Sequence, residues 1–66
     1  MDWSDDEVIY AVHAVRETGK PSNLLEVSLE MRTLDEPAVR TILDRLVVEG
    51  RLSKVDATDE YAPNGD

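Results

Sequence analysis

Residues 34–52 read LDEPAVRTILDRLVVEGRL, and this stretch decides the fold. Asp35 is placed to cap a helix, because its carboxylate can accept from the free N–H groups of the first turn. Glu36 follows at the positive end of the helix dipole. Pro37 is tolerated there, since first-turn N–H groups have no helical partner to lose. Val39, Ile42, Leu43, Leu46 and Val47 then recur at helical spacing as one broad apolar stripe. Gly50 suits the position just past the helix end, where a positive φ meets no Cβ penalty. Arg51-Leu52 begins an extended run.

Upstream, Ser4-Asp5-Asp6-Glu7 is a capping-box pattern, and its three acids suit the start of a helix spanning about residues 5–18. Val8, Ala11, Val12 and Val15 form its core stripe; Gly19 and Pro21 end it. Asn23-Leu24-Leu25-Glu26 is a second cap signal, for a helix over about 24–32 with Leu24, Val27, Ser28 and Met31 facing inward. Arg32-Thr33-Leu34 is then the turn, with Leu34 expected to plug the gap between helices two and three. Two short helices joined by such a turn make a helix-turn-helix unit.

Downstream, residues 51–56 and 59–63 read as two short antiparallel strands with Ala57-Thr58 at the tip. The Asn-Gly or Asp-Gly signal of a tight hairpin is missing. Leu52, Val55 and Tyr61 are the residues expected to be buried, a short edge strand is expected near Lys20–Pro21, and residues 64–66 are expected to fray.

Leu34 before the cap, the Val39/Ile42/Leu43/Leu46 stripe and the Glu49-Gly50-Arg51-Leu52 corner together resemble the third helix and first wing strand of winged helix-turn-helix domains. The resemblance covers roughly residues 5–63. It implies one domain over residues 1–66, mainly α with a small β-hairpin: three helices plus a two-stranded wing. It also implies a DNA-binding protein of the transcription-regulator type.

With 66 residues, the chain has room for one small core. It holds no Cys, which excludes disulfides and thiolate metal sites. No run approaches the ~18 apolar residues of a membrane span, and MDWSDDEV lacks the basic and apolar regions of a secretory signal. A cytoplasmic location is expected. Fifteen acids against seven bases give a net charge of −8. This low-lysine, acid-rich composition resembles proteins of organisms that hold molar internal KCl, where salt screens self-repulsion; the alternative is an ordinary acidic domain. The charge is uneven. Residues 1–30 carry −5, residues 56–66 carry −4, and residues 31–55 carry +1. Five of the seven bases therefore fall in the turn, the third helix and the first wing strand.

The third helix is the element that a winged helix places in the major groove. Pro37, Thr41, Asp44 and Val48 point away from the core stripe, flanked by Arg40 and Arg45. Arg40 suits guanine or phosphate and Thr41 a base or phosphate, while Arg32, Arg51 and Lys54 suit phosphates. Against DNA stand Glu36, Asp44, an acidic wing tip at Asp56–Glu60, and the apolar Val48. The alternative is a protein–protein adaptor that binds no DNA. Trp3, Tyr10 and Ala14 form a second stripe on helix one, read either as internal or as a homodimer or partner face. His13 and Glu17 lie at i and i+4, but two ligands on one helix do not make a metal site, and His13 reads as a surface residue. No nucleophile–base pair, phosphate loop or zinc motif occurs. The chain therefore reads as a non-enzyme with no cofactor and no small-molecule substrate site.

The clustered acids of residues 1–30 predict that molar KCl stabilises the fold. Thermal melts between about 0.1 and 2 M KCl check this. An unchanged or falling midpoint counts against the salt-adapted reading.

Overall fold

The computed structural model describes residues 3–64; the expected fraying of residues 65 and 66 lies outside them. Helix α1 spans Asp5–Glu17, α2 Leu24–Glu30 and α3 Glu36–Val48. Strands β1 (Leu52–Val55) and β2 (Glu60–Pro63) pair antiparallel. This is a winged helix-turn-helix layout, mainly helical with a small hairpin.

The helix starts follow from their caps. Ser4 Oγ accepts from the Glu7 N–H at 3.2 Å, and the Glu7 carboxylate accepts from the Ser4 N–H at 2.9 Å, which completes the capping box. Asn23 accepts from the Glu26 N–H at 2.8 Å, and Asp35 from the Ala38 N–H at 3.3 Å.

The helix ends share one device. After α1 the Gly19 and Lys20 N–H groups return to the Arg16 and Val15 carbonyls, and after α3 the Gly50 and Arg51 N–H groups return to those of Val47 and Leu46. These are Schellman closures around a left-handed glycine, with φ of 81° at Gly19 and 80° at Gly50. The same pair of bonds closes α2, from Arg32 to Leu29 and from Thr33 to Ser28. Here the left-handed residue is Arg32, with φ 59°. The helix therefore ends at Glu30 rather than at residue 32 as the sequence pattern suggested.

One core joins the elements. Val8, Ala11, Val12, Val27, Val39, Leu43, Leu46, Leu52 and Tyr61 are buried together. Ile42 and Val47 of the α3 stripe, with Leu24 and Met31 of α2, are partly buried against them. Two expected core residues fall elsewhere. Leu34 is 94% exposed: the chain has already turned at Arg32, and a side-chain turn from Asp35 N–H to Thr33 Oγ1 (3.0 Å) leads into the α3 cap. Val55 is 45% exposed. Leu52 faces the core, and a strand's two-residue period sends a residue three positions on to the opposite face.

The hairpin register pairs Leu52 with Pro63, Lys54 with Tyr61 and Val55 with Glu60. Its loop is the four residues 56–59, longer than the two-residue tip expected, with Asp59 in the left-handed region at φ 57°. No strand forms at Lys20–Pro21. The outer edge of β2 instead meets Ser22-Asn23: the Tyr61 N–H donates to the Ser22 carbonyl at 2.9 Å, the Ser22 hydroxyl donates to the Tyr61 carbonyl, and Asn23 bridges Glu60. Pro21 has no N–H to offer a ladder, so pairing begins one residue later.

Leu46 is fully buried at the centre of this core. Leu46→Ala should cost roughly 2–5 kcal/mol, a large share of what so small a domain has. Urea unfolding measures it; a loss well under 1 kcal/mol would remove Leu46 from the centre of the core.

Candidate nucleic-acid interface

The α3 stripe seats one face of the helix on the core, so its opposite face must stand free. Pro37, Arg40, Thr41, Asp44 and Val48 are all exposed, as is Arg32 in the turn before it. The Thr41 hydroxyl donates to the Pro37 carbonyl one turn back at 2.9 Å, a local back-bond within the helix.

The six candidate DNA contacts fall into two groups. Arg45 and Arg51 converge on the start of α1. Arg45 grips the Asp5 carboxylate with two nitrogens, at 2.5 and 3.1 Å, and also reaches Glu49 at 3.3 Å. Arg51 reaches Asp5 at 3.6 Å and Asp6 at 3.1 Å. This network ties α1 to the last turn of α3 and to the residue before β1. Its effect shows in the titration of its members. The hydrogen bond and charge of Arg45 hold the Asp5 carboxyl below its ordinary value, with Arg51 adding to the effect. The same bond to Asp5 raises Arg45 further above its already high value.

Arg32, Arg40, Thr41 and Lys54 form the other group. Arg40 Nε lies 3.7 Å from Asp44 one turn on, with both side chains largely exposed. Lys54 Nζ lies 3.2 Å from Asp59 and 5.7 Å from the centre of the Tyr61 ring. An exposed single pair such as Arg40–Asp44 contributes about 0–1 kcal/mol, so a phosphate can displace its carboxylate at little cost, whereas the Lys54 side chain is half-buried. Arg32 has no acidic group within 4.0 Å among the described residues.

Asp44, which opposes phosphate on the outward face, is partly engaged. The Tyr61 hydroxyl donates to it at 2.8 Å, linking the wing to α3. Tyr61 is 2% exposed; burial first, then this bond to an anion, pushes its phenol up to about 12. Neither this contact nor the Asp5–Arg45 grip, which joins residues 40 apart, has a local sequence signal.

The second stripe divides. Trp3 is half-buried against the core, whereas Tyr10 is 72% exposed, so the internal reading fails for Tyr10. Val48 is 86% exposed. His13 is exposed on α1, and no three His, Asp or Glu side chains gather as metal ligands among the described residues. None of the described helices is long and apolar enough to cross a membrane. No protein-family model, curated protein or solved structure matches the chain.

Asp5 and Tyr61 set opposite pH limits. Asp5 is depressed below 3.8 in the fold, so its stabilisation is complete above that value and is lost as pH falls through the folded value. Tyr61 is raised from 10.0 to about 12, so its contribution is complete below 10.0 and is lost as pH rises through about 12. Melting midpoints across pH should fall at both ends. Asp5→Asn should flatten the acid fall and Tyr61→Phe the alkaline one. Limbs unchanged in either variant would assign the fall to other groups.

Proposed function

We propose that this chain is a winged helix-turn-helix DNA-binding protein, a transcriptional regulator that reads duplex DNA with the outer face of α3. The observation that carries this reading is Arg32. In the corner after α2 it holds the left-handed conformation that Gly19 and Gly50 hold after α1 and α3. A left-handed non-glycine residue costs about 1–2 kcal/mol, and such strain persists where the side chain has a use. Its side chain is exposed in the turn that leads into α3, the helix that carries Arg40 and Thr41.

Arg40 and Thr41 then contact base edges or phosphate, and Arg32 and Lys54 contact phosphate. Arg45 and Arg51 act differently from the other candidates: they brace α3 and the wing against α1. In a cytoplasm rich in KCl, screening weakens both the −8 self-repulsion and the counterion-release drive, which leaves more of the affinity to base and shape contacts.

The adaptor reading also has an observation in its favour. Leu34 and Val48, near the two ends of α3, are 94% and 86% exposed, and apolar side chains there suit a protein surface better than a phosphate backbone.

Titration with random and genomic duplexes over a range of KCl distinguishes the two. DNA binding should shift the amide signals of Arg32, Arg40, Thr41 and Lys54, and Lys54→Ala should weaken all sequences about equally. Arg32→Gly is the sharper variant: it should stabilise the fold by up to about 1 kcal/mol while weakening binding. Absence of any shift on α3 in buffer where the protein is folded would refute the DNA reading and leave the adaptor.

A further inference from the structure

A groove of about 410 Å³ opens between the start of α1 and the end of α2. Trp3, Tyr10, Ala11 and Met31 give it apolar walls, and Asp6, Glu7 and Glu30 add carboxylates. It takes no residue from α3 or the wing, so it is separate from the proposed DNA face.

The charges of this groove are unbalanced. No basic side chain lines it. Asp6 is answered by Arg51. Glu7 accepts only the Ser4 backbone N–H, and Glu30 has no cation within 4.0 Å among the described residues. Among the described residues, two carboxylates without a countercharge therefore border two aromatic side chains.

That combination selects its occupant. A nucleic acid would bring phosphates against Glu7 and Glu30. A purely apolar helix face would desolvate both carboxylates with nothing to pair them. A second copy docked groove to groove would bring two acidic linings together, neither of which carries a basic side chain. A cationic side chain on an aliphatic stem suits every part: its stem lies against Met31, its head group faces the Trp3 and Tyr10 rings, and the carboxylates supply the countercharge.

We propose that this groove captures an arginine- or lysine-bearing segment of a partner protein, with the cationic head group between the Glu7 and Glu30 carboxylates and the aromatic walls. A protein that touches DNA with α3 would then hold a basic partner with α1 and α2 at the same time.

Trp3 is the one tryptophan of the chain, so its fluorescence reports on the groove directly. The probe is a blocked hexapeptide alternating arginine and leucine, compared with the same peptide carrying glutamate in place of arginine. The arginine peptide should shift Trp3 emission saturably and move the amide signals of Glu7, Tyr10 and Glu30; the glutamate peptide should do neither. Glu30→Gln and Glu7→Gln should each weaken binding by about tenfold or more. Glutamine preserves the capping box, and an unchanged melt confirms that each variant is folded. Equal binding of both peptides, or no binding between about 0.1 and 1 M KCl, would overturn the proposal. So would a concentration-dependent Trp3 shift with dimer formation in the absence of peptide, which would give the groove to a second copy. Added duplex DNA should leave Trp3 emission unchanged, so failure at the groove and failure at α3 are read separately.

Discussion

Gly19, Arg32 and Gly50 each take the chain out of a helix through the left-handed region, and in each case the N–H groups of that residue and of the one after it return to carbonyls of the helix's last turn. The arrangement of the helices depends on these three corners. A right-handed residue at any of them would prolong the helix and lose both returning bonds. At Gly50 the corner delivers Arg51 beside Asp5 and Asp6 and lets Leu52 enter the core. At Gly19 it delivers Ser22, whose carbonyl and hydroxyl hold both the N–H and the carbonyl of Tyr61. The hairpin is thereby fastened on both sides, through β1 to α3 and through β2 to the α1–α2 connection. Two strands alone are marginal in water; this pair is anchored at both edges.

The corners also separate what was legible in the sequence from what was not. Local signals read well. Ser4/Glu7, Asn23 and Asp35 cap the helices they were expected to cap, and Gly19 and Gly50 close them. Arg32 was hidden because it breaks the glycine rule for that position, so α2 seemed to run two residues further. Leu52 and Val55 were both expected inside, although a two-residue period allows only one of them. Leu34 followed an apolar pattern that the early turn cancels. Pairings distant in sequence left no local trace: Asp5 with Arg45, Tyr61 with Asp44, and the groove between α1 and α2 all arise only once the core has brought the elements together. Of the candidate interface, the exposed face of α3 was legible from helical periodicity. The division of its basic residues between those that brace α1 and those outside that network was not.

That division changes the meaning of the charge map. Counted along the sequence, residues 31–55 are the one region that is not acidic, and all five of their bases looked available. In three dimensions Arg45 and Arg51 sit against Asp5 and Asp6, so the acids at the start of α1 do more than complement the helix dipole. They neutralise part of the basic stretch and hold it in place. What remains for a partner is smaller: Arg32 with no countercharge among the described residues, Arg40 and Lys54 each in a single ion pair, and the exposed Thr41.

Salt acts on these two roles in opposite directions. Screening relieves the repulsion among the acids of α1 and α2, which favours the fold, and it also weakens the Asp5–Arg45–Arg51 network. The network is less sensitive, because Arg45 meets Asp5 through two hydrogen bonds whose geometry persists when the long-range field is gone. Repulsion between separated carboxylates has no such short-range component. Molar salt should therefore weaken the repulsion before it weakens the brace. The same reasoning holds for the proposed partners. A contact made only through diffuse charge fades with salt, whereas Arg40 against a base edge, or a cation pressed on the Trp3 and Tyr10 walls, retains its short-range part. An acidic chain that works in high salt would need contacts of that second kind on both of its faces.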